Sequence, residues 1–576
     1  MPQRTQAAGS DRFRRRWWNA AAGLAIAVGS LRVVATYSVF SPTTDEPVHV
    51  ASGMAWLTRI GGYGTEHPPL ARAAAAAPLL LSGVRPRGER NATALLPKGL
   101  APLAREGRAL LFEAGRIERN LALARLGILP FFVLASALVW SWSCRLFGAG
   151  AGLASVVLFT SLPSVLAHAG LATTDMAVTA TLFGAVYALS LWLERPTPLR
   201  GAVLGVAIAL AVLSKLSTLL FFPAVGIALV LVSSFSRQRP PTTAPRWFTS
   251  AALAIVTVCV VVWAGYLFST SPARSPELQP QALVRSLHVE GILSRHPGLR
   301  EALFAVLRAP VPGELVDGVV AVVAHVRRGH AAYLFGEYRE GGWWYFFPVV
   351  LAFKTPLGFL ALAGVGLVAM LRRRRELGWK AFAPAASALA ILLVVLPSRI
   401  NIGVRHVLPI YPFLSVVAGY GAARLFSAPR RAGAFALGLI LMLWHLGSSA
   451  VAHPDYIPYF NELAMGRPER VTLDSDLDWG QDTKRLAARL RQLGASRIAA
   501  GGLDFEYLEK TAGVRACTLD PYDPVTGWVA VPEHFLKVKG EKVRREMARS
   551  DTGFAWLEAH PFERVGKSIR LYRIAP

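Results

Sequence analysis

Long apolar runs alternate with short arginine-bearing loops along the chain up to about residue 451, after which the pattern changes. A helix needs roughly 20 apolar residues to cross the hydrocarbon core of a bilayer, and eleven stretches approach that length. They are Trp17–Phe40, Leu121–Phe147, Ala149–His168, Met176–Leu193, Gly201–Ser214, Leu216–Phe235, Trp247–Ser269, Trp343–Leu371, Ala381–Pro397, Val407–Phe426 and Ala432–Val451. The first is not a signal peptide, because no small-residue cleavage site follows it and apolar segments continue throughout. Basic residues recur on one side: Arg12 and Arg14 to Arg16, then Arg145, Arg195 and Arg200, then Arg237, Arg239 and Arg246, then Arg372 to Arg375 with Lys380, then Arg424, Arg430 and Arg431. By the positive-inside rule that side is cytoplasmic, so the N-terminus is inside and an odd number of spans leaves the C-terminus outside.

The outer side then receives residues 41–120, 169–175, 270–342, 398–406 and the tail from 452. Loops as long as the first and third of these usually carry function. Ala71–Leu81 is apolar but too short to span, which suits a helix lying in the interface. The tail reads as a small α/β module: β-like runs at Arg497–Ala500, Gly527–Val531 and Ile569–Ile574 accompany an amphipathic helix at Gln481–Leu493, with Gly494 suited to its C-terminal cap. The expected fold is an all-α polytopic membrane domain over residues 1–452, with about eleven transmembrane helices, followed by a small extracytoplasmic α/β domain over 453–576.

Composition agrees with this reading. Of 576 residues 53% are hydrophobic and 17% charged, against about 25% charged in soluble domains, which excludes a disordered chain and argues against a soluble enzyme. The 62 Lys+Arg exceed the 36 Asp+Glu to give +26, yet the cations sit in clusters between apolar runs, so they concern membrane orientation and not nucleic acid. Cys144, Cys259 and Cys517 are too far apart for a disulfide framework or a CxxC site.

Candidate chemistry gathers on the outer side. Asp45 and Glu46 follow the first span directly, where helix capping with Pro47 near the first position is the plain alternative. Glu66-His67-Pro68-Pro69 forms a charged pair before a stiff turn, and Asp175 follows Thr173-Thr174 at the outer start of the fourth span. A charge within a bilayer costs at least about 2.5–3.5 kcal/mol, so Lys215 and Lys354 should pair, snorkel or face a wet cavity. Arg399, Arg405 and His406 lie at the mouth of the tenth span, against the charge asymmetry elsewhere, and arginine suits a phosphate. Asp474, Asp476 and Asp478 alternate as in a calcium loop, but Trp479 stands at its sixth position and Arg485 at its twelfth, so that reading fails. Acids from two loops and cations from others would suit a reaction needing a carboxylate base and cationic clamps for a phosphate.

Several motifs occur in one order: Thr44-Asp45-Glu46-Pro47, His67-Pro68-Pro69-Leu70, Thr174-Asp175, Phe335-Gly336-Glu337, Gly342-Trp343-Trp344-Tyr345-Phe346-Phe347-Pro348, Lys354-Thr355-Pro356, Asn401-Ile402-Gly403-Val404-Arg405-His406, Tyr459-Phe460-Asn461-Glu462 and Asp478-Trp479-Gly480-Gln481-Asp482. Their order resembles the bacterial members of glycosyltransferase family 39, which share the GT-C fold class with protein O-mannosyltransferases and lipid A aminoarabinose transferases. The resemblance implies transfer of a sugar from a polyprenyl-phosphate carrier to a lipid, glycan or protein acceptor on the extracytoplasmic face of a bacterial plasma membrane, with inversion. It makes Asp45 the candidate base, Glu46 its positioning or metal-binding neighbour and Asp175 the second acid. Glu66 and His67 match a motif that approaches the donor phosphate or a metal, and some relatives carry Lys in place of His67. A divalent metal would have Glu46, Glu66 and His67 as candidate ligands. Electrostatics adds Lys354, Arg405 and His406 as candidate phosphate contacts. A transporter or lipid flippase would also place ionisable residues at helix ends, but inverted repeats and broken midplane helices are not evident in the sequence.

Overall fold

The computed structural model describes residues 2–59, 67–86, 101–234, 244–270, 294–295, 297–298, 301, 312–427, 432–547 and 553–576. Glu66, Arg237, Arg239, Arg430, Arg431 and much of residues 270–342 lie outside the described residues. All eleven apolar runs are helical. Five helices among the described residues are long and apolar enough to cross a membrane: Arg16–Val34, Ile117–Phe147, Asp175–Glu194, Arg246–Gly265 and Ala432–Val451. Counting two bent pairs as single spans raises the number to seven. The other four runs give helices of 17 residues, Pro198–Ser214, Thr218–Ser234, Trp379–Val395 and Ile410–Phe426. At 1.5 Å per residue each is about 25 Å long, short of the roughly 30 Å core.

The bent pairs correct the expectation of unbroken helices. Ala149–Thr160 and Pro163–Ala169 meet at 63°, and Phe346–Lys354 and Leu357–Arg372 at 112°. Proline lacks an N–H and drives the residue before it out of the helical region. Leu162 before Pro163 and Thr355 before Pro356 are accordingly extended, with ψ of 120° and 131°.

Ile410–Phe426 forms the centre, with Tyr411, Phe413 and Val416 fully buried, and it packs against Ala149–Thr160 and Leu357–Arg372. Outer helices show the opposite pattern. Ile255, Val256, Ile440 and Leu443 are apolar and exposed, as a lipid-facing surface requires. Outside the bundle, α1 (Glu46–Thr58) and α2 (Pro69–Leu81) lie face to face. Gly53 permits the approach, because a Cβ there would meet the Arg72 carbonyl oxygen at 1.9 Å.

The second long loop ends in an antiparallel hairpin, β1 (Ala331–Leu334) with β2 (Glu337–Glu340). In the tail, β3 (Arg497–Ala500), β4 (Arg515–Thr518), β5 (Gly527–Pro532), β6 (Phe562–Val565) and β7 (Ile569–Ile574) form one sheet in the order β4-β3-β5-β7-β6. Its β3 pairs are parallel and its β7 pairs antiparallel. The helix Thr483–Gln492 turns Leu486 and Leu490 into the core.

Candidate active site

The chain leaves the first span, runs through residues 41–44 and enters α1 at Glu46, with Pro47 stiffening the first turn. Asp45 occupies the N-cap position but makes no side-chain capping bond. Its carboxylate instead accepts a hydrogen bond from Arg405 Nη1 at 2.6 Å, and 34% of the side chain remains exposed. Burial pushes the Asp45 pKa up, but Arg405 and then His49 outweigh it, and the group ends below the usual carboxylate range.

Glu46 turns the other way. It is fully buried, and its two oxygens accept from Arg125 Nε at 2.8 Å and Nη2 at 2.9 Å, from the Ala172 amide at 2.9 Å and from the Thr43 amide at 2.8 Å. Arg125 also donates to the carbonyls of Tyr37, Phe40 and Ser41. This one ion pair ties the end of the first span, the Asp45 turn and the segment leading to Asp175. Its oxygens are committed, so the candidate catalytic and metal-binding roles of Glu46 do not match its position.

Asp175 opens the fourth span, again with no side-chain cap at Thr174. Its Oδ1 accepts from Lys215 Nζ at 2.6 Å, its Oδ2 accepts from Thr173 at 3.2 Å, and His168 Nδ1 lies 4.0 Å from Oδ2. Asp45 and Asp175 stand within electrostatic range of each other, and Arg405 feels both. The Arg405 guanidinium lies 4.3 Å above the Trp479 ring. His49, one helical turn beyond Asp45, is held near pKa 3 by burial and by Arg72, whose Nε donates to it at 3.3 Å. The rings of His67 and His49 are 5.3 Å apart, and burial reinforced by Arg72 keeps His67 well below its usual pKa. His406 is lowered in the same way by burial and by Lys215 and Arg405. These imidazoles outside the spans are neutral and add no positive charge.

Three nitrogens around the two acids, Arg405 Nε, His406 Nε2 and His168 Nδ1, are buried without a hydrogen-bond partner. Buried polar groups are rarely left this way, so the set is suited to a polar ligand between carboxylates and cations. Among the described residues no three His, Cys, Asp or Glu side chains form a group that could hold a metal, and no step below is routed through one.

Lys354 is not part of this arrangement. It ends Phe346–Lys354 at the 112° break, and its buried Nζ donates to the carbonyls of Ile457 at 2.6 Å and Asp476 at 2.7 Å. It staples the broken helix to the tail. In the 474–482 segment, Asp476 accepts from the Val404 amide at 2.9 Å and Asp482 anchors Ser568, while Trp479 and Gln481 receive the Thr44 and Ser41 amides. Gly403, at φ 139°, leaves room for this contact, since a Cβ there would meet Ser475 Oγ at 2.4 Å. Sequence reasoning missed four site residues, His49, Arg72, His168 and Arg125, and did not foresee that Lys215 meets Asp175. A cavity of about 670 Å3 lies elsewhere, between the β1–β2 hairpin and the tail.

Residues 118–264 match the family model described as dolichyl-phosphate-mannose-protein mannosyltransferase. No curated protein matches the sequence. Among solved structures, ArnT from Cupriavidus metallidurans bound to undecaprenyl phosphate aligns at 13% identity and a TM-score of 0.47, over 95% of this chain and 97% of that one. The archaeal oligosaccharyltransferase AglB from Archaeoglobus fulgidus, in complex with an inhibitory peptide and a dolichol-phosphate, aligns at 12% identity and a TM-score of 0.48, over 91% of this chain and 70% of that one. The family match spans Arg125, His168, Asp175 and Lys215, so over that stretch the chain is similar to mannosyltransferases of this family.

Proposed function

We propose that the chain is a GT-C-like integral-membrane glycosyltransferase that moves a sugar from a polyprenyl-phosphate carrier to an acceptor at the extracytoplasmic face of a bacterial plasma membrane. Asp45 takes the proton of the acceptor nucleophile, which attacks the anomeric carbon. The bond from that carbon to the phosphate oxygen breaks on the opposite side, inverting the centre, and the electron pair leaves with the phosphate. Arg405 and Lys215 receive the phosphate charge, with the neutral imidazole of His406 as a further contact. Asp175 holds Lys215 at 2.6 Å, and Glu46 acts through Arg125 and the backbone as a positioning residue. Preorganised cations at the leaving group and a carboxylate at the nucleophile are the two elements this displacement needs.

The observation carrying this reading is the convergence of Asp45 and Asp175, from two separate loops, on one shared cation, Arg405, beside unpartnered buried nitrogens. The family match over residues 118–264 supports the same chemistry. The broken eighth run is a feature that transporters also use, but here the break buries Lys354 against backbone carbonyls and not at a solute site. In reconstituted vesicles supplied with a polyprenyl-phosphate sugar, Asp45→Asn should abolish transfer while the protein stays folded. Undiminished turnover would reject the mechanism, and solute transport indifferent to the substitution would favour a transporter.

A further inference from the structure

Trp479 belongs to the tail, more than four hundred residues from the Asp45 turn in sequence, yet its ring lies against Arg405 and His168 of the site. Its backbone is fixed from both directions. The Trp479 amide donates to Gln481 Oε1 at 2.7 Å, and its carbonyl accepts from the Thr44 amide at 3.1 Å. The ring is then held in place, 5% exposed, without needing any bond from the indole itself. One side meets the Arg405 guanidinium at 4.3 Å, and the ring also makes an edge contact with His168 at 6.0 Å between centroids. Arg405 and His168 carry two of the three buried, unpartnered nitrogens of the site. Arg405 also spans a choice of anions, since Asp45, Asp175 and Asp474 all lie within its electrostatic range.

We infer that Trp479 is a positioning residue of the donor site: its ring is the platform that holds Arg405 where a phosphate monoester or diester anion enters, so the tail completes the site that the Asp45 and Asp175 segments begin. This rests on the glycosyltransferase reading for the identity of the anion. A guanidinium tied only to Asp45 could rotate about its long side chain, whereas one stacked on a fixed aromatic plane keeps its free N–H groups directed. Losing the ring should therefore weaken donor binding more than it slows the chemical step.

The test uses the full chain in detergent, with undecaprenyl phosphate as the probe for binding and a polyprenyl-phosphate sugar for turnover. Trp479→Met, which removes the ring and keeps the backbone contacts, should raise the donor KM and the undecaprenyl phosphate Kd by about tenfold to thirtyfold, the range of a desolvated cation–π contact. Its kcat should fall by less than about threefold. Trp479→Phe, which keeps an aromatic face, should recover most of the affinity. In an Arg405→Gln background the Trp479→Met change should cost nothing further, because the two residues act as one unit. Wild-type affinity in Trp479→Met, equal impairment of Met and Phe variants, or simple additivity with Arg405→Gln would each overturn the inference. Should Trp479→Met fail to fold, Trp479→Leu takes its place: a loss of affinity that Trp479→Phe largely restores and that vanishes in the Arg405→Gln background supports the inference, and wild-type affinity or additivity overturns it. If wild-type protein neither binds undecaprenyl phosphate nor turns over, the glycosyltransferase reading itself has failed, which is a separate outcome.

Discussion

Replacing Glu46 by Gln removes the charge that Arg125 meets through hydrogen bonds of 2.8 and 2.9 Å, where both side chains are fully buried. The Gln amide would also turn a donor toward one of three existing donors, Arg125, the Ala172 amide or the Thr43 amide. Breaking a buried ion pair by removing one partner costs about 3–5 kcal/mol, because the other charge is left without compensation. That is a large share of the about 5–15 kcal/mol that holds a typical domain together. Asp45→Asn, one residue earlier, has a different expected outcome. Its ion pair with Arg405 is a third open to solvent on the aspartate side, and Arg405 keeps Asp175 and Asp474 within electrostatic range, so its loss costs less than that of the fully buried Glu46–Arg125 pair. Heating the detergent-solubilised variants and measuring the fraction still monodisperse by size exclusion separates the two. Glu46→Gln should melt well below wild type and lose activity in proportion to its unfolding. Asp45→Asn should melt near wild type and lose sugar transfer entirely. Equal melting of the two variants, or a stable Glu46→Gln protein without activity, would refute the division of labour drawn between these neighbours.

Three other outcomes follow from the geometry. Lys354→Met strips the donor from two backbone carbonyls, so stability should fall by about 1–3 kcal/mol while the donor KM of the folded fraction stays unchanged, checked by thermal melting and steady-state kinetics. Lys215→Met leaves Asp175 buried without its cation, so kcat/KM should drop by at least about tenfold, with Lys215→Arg retaining much of the wild-type rate. Burial raises Asp478 to about 7, against the His534 amide bond that opposes it, so the folded state holds a proton that the unfolded chain releases near pH 4. Stability contributed by this group is therefore lost as pH rises from about 4 to 7; melting curves of Asp478→Asn should be flatter than wild type over that window, and a parallel pH dependence would contradict the assignment.

The helical runs were legible because bilayer crossing imposes an all-apolar period that few other structures produce, and every one of the eleven is helical. The breaks at Leu162 and Thr355 were signalled by the prolines that follow them but masked by apolar composition on both sides. Asp45, Asp175 and Arg405 could be picked out as charges at the ends of helices, away from the arginine-rich loops. Their partners could not, because Lys215 and Asp175 meet across two helices and 40 residues. Arg125 was the missed signal, a cation near the start of the predicted span Leu121–Phe147 that had to find an anion. Lys354 obeyed the same rule, but backbone carbonyls answered it in place of a phosphate. His49 stands four residues after Asp45, the spacing that shares a helix face, and could have been proposed on that ground.

The two amides that the tail receives from Ser41 and Thr44 join positions 440 and 435 residues apart. The loop after the first helix is therefore secured only once residues as far as Gln481 have been made. Chains truncated ahead of Asp474 should lose both backbone bonds, from Ser41 and from Thr44, that fix the Asp45 turn. The Asp45 turn is in this way completed by a segment made more than four hundred residues later.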